Sequence, residues 1–121
     1  MTTKIPAENI ALKRAYDEPS PEDGPRILVD RLWPRGVTKQ KAGLDRWIKE
    51  LAPSTELRKW FGHDPDRWPE FRRRYQAELK DHTDLLNELR ELARRHRITL
   101  VYSAHDEQHN DAVVLREALL D

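Results

Sequence analysis

Cysteine is absent from the 121 residues. That excludes a disulfide scaffold and any cysteine-ligated zinc site, and it agrees with a reducing compartment. A surplus of charge is absent too, because 22 basic side chains balance 22 acidic ones. A general electrostatic hold on nucleic acid needs a basic balance, so nucleic acid is disfavoured as a partner. No run approaches the roughly 18 apolar residues of a membrane helix, and the opening MTTKIPAENI has no apolar core of a secretory signal. The expectation is a cytoplasmic protein with no membrane partner. Internal repeats, linkers and low-complexity stretches are also missing. What remains is a chain of suitable length for one α/β domain, residues 1–121, able to bury a core without covalent staples.

Hydrophobic periodicity supplies the elements. Residues 9–15 alternate Ile10 and Leu12 with polar neighbours and read as a first strand. The stretch YDEPSPEDGP is loop by its turn chemistry. Residues 26–30 (RILVD) form a compact β-branched run, a buried strand. A helix is expected from Lys39 onward, because Leu44, Trp47, Ile48 and Leu51 fall on one helical face. Pro53 ends it and Ser54 caps a second helix carrying Leu57, Trp60 and Phe61, which Gly62 stops. Asp64 or Asp66 caps a third, with Pro65 and Pro69 tolerated in its first turn and Trp68, Phe71, Tyr75 and Leu79 on its buried face. A fourth spans about residues 83–96. Residues 98–102 (ITLVY) form the third strand, and a closing helix carries Ala112 to Leu119. A helical excursion joining two buried strands implies a parallel pair. The expected fold is therefore a small, mostly parallel sheet of three or four strands flanked by helices. A helical insertion lies between the second and last strands, and there is room for a further short strand between Val37 and Gly43.

In such sheets, ligands sit outside the carboxyl ends of the strands, where the loops part. Two loops leave from such ends, residues 30–36 and 103–110. If their strands are neighbours, Arg31, Arg35, Ser103, His105, His109 and Asn110 meet there. These are mainly donors and suit a phosphate, sulfate or carboxylate. The bland reading competes at each position. The arginines can brace acidic loops, Trp33-Pro34 can be a packing wedge, and Asp64 can be a helix cap with His63 beside it on the surface. The clusters 72–74 and 94–97 interleave with glutamates and read as solvated, salt-bridged helix faces.

The stretches KRAYD, RILVDRLWPRGVTK, LAPSTELRKWFGHDPDRWPEFRRRYQAEL and LVYSAHDEQHNDAVVL resemble, in order and over nearly the whole chain, the bacterial family catalogued as domain of unknown function 488. The resemblance implies a small cytoplasmic α/β domain and no firmly established activity. Two departures stand out. The family commonly has a basic residue at the position of His105, and Asn-His-Ala where this chain has Asn110-Asp111-Ala112. Asp111 would place negative charge beside the closing helix, favouring the helix while competing with a bound anion.

The leading expectation is that the loops after the strands bind a small anionic, phosphate- or carboxylate-bearing ligand, with hydrolase-like chemistry as an option. Arg31 and Arg35 supply charge, Ser103 and Asn110 hydrogen bonds, and His105 or His63 the proton-transfer group. The alternative is a non-enzymatic regulatory or adaptor module that binds protein or nucleic acid through the helical insertion. A third reading is a metal-dependent hydrolase using His105, Asp106 and His109. No third ligand has a fixed spacing there, so no metal is expected, and no cofactor is expected.

Overall fold

The computed structural model describes residues 4–121. Its elements run β1 (Ile10–Arg14), β2 (Arg26–Leu28), α1 (Lys39–Ala42), β3 (Arg46–Trp47), α2 (Thr55–Phe61), α3 (Trp68–Leu79), α4 (Thr83–Arg95), β4 (Ile98–Tyr102) and α5 (Asp111–Leu120). The strands form one parallel sheet in the order β1-β4-β2-β3. This is the small parallel α/β fold expected, with the helical segments inserted between the second and last strands. Strand β4 is buried along its whole length because β1 and β2 flank it.

The strand period of two divides the core. Ile27, Val29, Ile98, Leu100 and Tyr102 face the large cluster built with Phe71, Tyr75 and Leu79 of α3, Leu86 and Leu89 of α4, and Leu115 and Leu119 of α5. Leu28 and Val101 face the other way, where Ala15, Trp33, Leu44 and Trp47 cover them. Trp33 and Trp47 meet edge to face at 5.5 Å, and their indole N–H groups donate to the Val37 and Asp30 carbonyls at 2.6 and 2.7 Å. Trp33 is therefore a packing residue of the sheet's second face.

The long helix expected across Leu44 to Leu51 does not form. Helix α1 is a single turn, and Gly43 closes it in the left-handed region at φ 56°. The chain then extends alongside β2: Asp45 N donates to the Arg26 carbonyl and Ile48 N to that of Leu28. The helical spacing of Leu44, Trp47, Ile48 and Leu51 arises differently, since Leu44 and Trp47 cover one sheet face while Ile48 and Leu51 enter the core on the other. The additional strand, β3, accordingly lies at Arg46–Trp47, beyond the 37–43 interval where the sequence left room for it. Sheet pairing outweighed an apolar pattern that fits either period.

Most of the remaining signals hold. Ser54 caps α2 by accepting from Leu57 N, and its own N–H and hydroxyl donate to Glu78 of α3 at 2.7 and 2.6 Å. Asp64 caps the 65–67 turn that leads into α3, whereas α3 itself starts after Arg67 with no side-chain cap, so neither Asp64 nor Asp66 caps the helix directly. One glycine is forced by contact rather than by a cap. A Cβ on Gly24, at φ +62°, would lie 2.0 Å from the Arg97 carbonyl oxygen, just where the chain enters β2.

Candidate functional site: a pocket at the carboxyl ends of β2 and β4

Strands β2 and β4 are hydrogen-bonded neighbours, so the loops that follow them emerge together. Val29 N donates to the Val101 carbonyl, which carries the pairing one residue beyond β2. The next residue, Asp30, closes the gap: its Oδ2 accepts from Ser103 N at 2.9 Å and from Ser103 Oγ at 2.7 Å. Asp30 therefore joins the two loops, a role the sequence analysis did not assign to it. Its position as the polar residue ending a buried strand was the available signal.

Above this junction lies a cavity of about 190 Å³. Asp30, Ser103, Asn110 and Asp111 supply polar groups to its lining, Phe61, Phe71, Pro53, Leu32 and Ala104 the apolar part, and Arg31, Arg58 and His63 the cationic or titratable groups. Of the residues singled out from sequence, Arg31, Ser103, Asn110 and His63 thus share one cavity. Arg35 and His105 are not part of its lining. Arg35 is exposed beyond the Trp33-Pro34 turn, where its carbonyl accepts from the Tyr16 hydroxyl. His105 lies on the β1 side, its Nδ1 accepting from the Arg14 guanidinium at 3.3 Å. Asp111, expected from sequence to compete with a bound anion, does line the cavity, whereas Arg58, Phe61 and Phe71 were not assigned to the site, because they come from α2 and α3 and meet it only through packing.

Several of these polar groups already have protein partners. Arg31 donates to the Pro53 and Ala52 carbonyls at 3.2 and 3.4 Å. Buried Asn110 caps α5, its Oδ1 accepting from Val113 N while its Nδ2 donates to the Asp106 carbonyl. Arg58, exposed on α2, has no ion-pair carboxylate among the described residues. His63 follows the Gly62 cap with φ 58°, in the left-handed region that residues other than glycine enter uncommonly. Its ring lies 6.2 Å from that of Phe61.

Asp111 begins α5 and hydrogen-bonds to Asp30. Burial pushes its carboxyl well above the ordinary range, and the Asp30 charge and hydrogen bond push the same way. The negative charge expected at Asp111 is thus disfavoured by its surroundings. The unfolded chain ionises Asp111 near pH ~3.9. Above that value the folded state binds more protons than the unfolded one, so this residue lowers stability as pH rises. Asp111→Asn removes the ionisation. It is expected to match the parent at about pH 4 and to exceed it by on the order of 1 kcal/mol at pH ~8. Urea melts across that range check this, and a parallel pH dependence of the two proteins would contradict the upward shift.

His105, Asp106 and His109 do not converge. His109 Nδ1 pairs with Asp106 Oδ2 at 2.9 Å and its ring abuts Trp68 at 5.1 Å, whereas His105 turns to Arg14. Backbone donation from Gln108 N and the His109 contact hold the Asp106 carboxyl below its ordinary range. Among the described residues, no group of three or more His, Cys, Asp or Glu side chains is arranged to hold a metal ion. Most arginines of the basic clusters are paired with carboxylates. Arg72 pairs with Glu117, Arg73 and Arg74 with Glu70, and Arg94 and Arg95 with Glu91. Arg73 and Arg74 pull the Glu70 carboxyl down to about 2. No helix among the described residues is long and apolar enough to cross a membrane.

A parallel four-stranded sheet, an insertion of helices and a pocket at the carboxyl edge define a small α/β domain. The chain belongs to the family described as the inactive DUF488-N3 subclade, which matches residues 9–121. It is 47% identical over 111 residues to the uncharacterized protein YeaO of Escherichia coli (strain K12), covering 92% of this chain and 96% of that one. It is 42% identical over 110 residues to the uncharacterized protein Rv3073c of Mycobacterium tuberculosis (strain ATCC 25618 / H37Rv), covering 91% and 92%. No solved structure matches the chain.

Proposed function

We propose that this domain is a non-catalytic receptor for a small metabolite bearing a carboxylate or phosphate, which it holds in the pocket at the ends of β2 and β4. One observation carries the reading: Arg58, with no partner carboxylate among the described residues, and His63 stand with Arg31 around a single cavity at the sheet's carboxyl edge. That edge is where parallel sheets place ligands. The family description, an inactive subclade, supports binding without chemistry. So does the lining itself. The Ser103 hydroxyl donates to Asp30, which orients it as a structural donor rather than an activated nucleophile. His63 and His105, the two proposed proton-transfer groups, do not share the cavity. The anion belongs at the exposed end with Arg58 and His63, since the Asp30 carboxylate disfavours it at the half-buried end.

Calorimetric titration with a panel of short carboxylates and phosphate monoesters tests this. The parent is expected to bind at least one of them, and Arg58→Ala, a change on an exposed helix face, is expected to weaken it by about tenfold, on the order of 1.4 kcal/mol. A parent that binds none of the panel, or an Arg58→Ala protein that binds unchanged, overturns the reading. Turnover of a bound phosphate ester would overturn its non-catalytic part.

A further inference from the structure

The pocket has two ends of opposite character. At its mouth stand Arg58 and His63. At its half-buried end the carboxyls of Asp30 and Asp111 line the cavity together, with Ser103 donating twice to Asp30. Among the described residues, no lysine, arginine or histidine forms an ion pair with either carboxyl. Arg31, which shares the cavity lining, turns its guanidinium to the carbonyls of Pro53 and Ala52 instead. A half-buried carboxylate pair facing a cavity without a counter-cation is costly for the free protein. Elsewhere the chain does not tolerate that arrangement: buried Asp23 is matched by both Lys13 and Arg26.

We infer that the ligand of this pocket is a short bipolar acid whose protonated nitrogen head, an ammonium or guanidinium, seats on Asp30 and Asp111 while its acid group meets Arg58 and His63. The inference rests on the proposed receptor reading and names the class of molecule. Charge complementarity dictates each end of the ligand. The half-buried end accepts hydrogen bonds and carries negative charge, so it excludes a second acid group and favours a cationic donor. Aromatic Phe61 and Phe71 also line the cavity, an apolar surface that suits a methylene spacer. The volume of about 190 Å³ is below the several hundred Å³ of sites for drug-sized ligands, so the spacer is only a few carbons long. Ser103 is then a positioning residue, fixing the Asp30 carboxylate that the head would touch.

Four probes of similar length test both ends on the intact parent protein by calorimetry. They are γ-guanidinobutyrate, γ-aminobutyrate, pentanoate, which lacks the nitrogen head, and butylguanidinium, which lacks the acid. At least one of the two bipolar acids is expected to bind about tenfold or more tighter than pentanoate, and tighter than butylguanidinium. Asp30→Asn is expected to abolish the preference over pentanoate. Asp111→Asn is expected to keep it, and Arg58→Ala to weaken both acids while leaving their ratio unchanged. If pentanoate binds as tightly as the bipolar acids, the inference fails and the receptor for simple anions stands. If butylguanidinium binds as tightly as the bipolar acids, the anion-binding mouth fails and the cation site at the half-buried end stands alone. If none of the four binds, the bipolar class is wrong, and the panel of simple anions decides the receptor reading separately. The parent comparison requires no variant, so a misfolded Asp30→Asn protein leaves the test intact.

Discussion

Asp23→Ala is expected to cost about 3–5 kcal/mol of folding free energy, because it strands a buried guanidinium. Asp23 and Arg26 are 6% and 3% exposed, and Arg26 Nη1 donates to Asp23 Oδ2 at 2.7 Å. The same guanidinium donates from Nε and Nη2 to the Ala42 carbonyl at 3.1 and 3.0 Å, and Lys13 reaches Asp23 from β1 at 3.1 Å. The network thus joins β1, the entry to β2 and the end of α1 on the sheet's second face. Burial pushes the Asp23 carboxyl up, but hydrogen bonds from Ser20 N, Lys13 and Arg26 outweigh it and hold it below the ordinary range. Its folded value is lower than its unfolded one, so its stabilising contribution is present above about pH 4 and is lost as pH falls through the depressed value. Urea melts of the variant at neutral pH give the loss. A double variant, Asp23→Ala with Arg26→Met, is expected to recover much of it, since the cost lies in the unpaired charge rather than in the absent contact. A single-variant loss below about 1 kcal/mol would show that water reaches Arg26 and that the pair is not a buried one.

Phe71→Ala is expected to be equally severe, at about 3–5 kcal/mol, through a different mechanism. Phe71 is 2% exposed, stacks on Phe61 at 4.2 Å, and touches Trp68 and Tyr75 at 5.7 and 5.8 Å. Truncation removes its transfer free energy and opens a void that the surrounding rings fill only in part. Because Phe71 also walls the pocket, the void joins the existing cavity. Tyr75, one turn further along α3, donates to the Leu51 carbonyl and anchors the helix whatever occupies position 71. Phe71→Leu should therefore lose only part of the stability, within about 1–2 kcal/mol. Thermal and urea unfolding measure both losses. An Ala variant as stable as the Leu variant would mean that the cavity collapses and that α3 is not held rigidly over the sheet.

Most elements were legible because their signals are local. The β-branched run at 98–102, the Ser54 cap with its Gly62 stop, and the Asp64-Pro65 entry to α3 depend on residues within a turn of one another, and each forms where the residues predict. The segment 44–51 was misread because apolar spacing there fits both a helix face and a strand that alternates between two packed layers. Only pairing with β2 distinguishes them. The site was legible in part for the same reason. Arg31 and Ser103 lie at strand ends and could be placed by topology, whereas Arg58 and Phe71 reach the pocket from helices whose docking no short-range pattern encodes.

By itself the sequence determined the parallel α/β class, the edge of the sheet at which a site would lie, and the kinds of side chain available there. It did so because hydrophobic period, capping and turn chemistry act over a few residues. The tertiary structure alone decided that Asp111 meets Asp30, which pushes its carboxyl up, that Arg31 is turned to backbone carbonyls, and that Arg58 joins His63 at the pocket while Arg35 and His105 stay outside it. The protonation state of a carboxyl depends on the burial and charge supplied by segments distant in the chain, and those are set only when the helices close over the sheet.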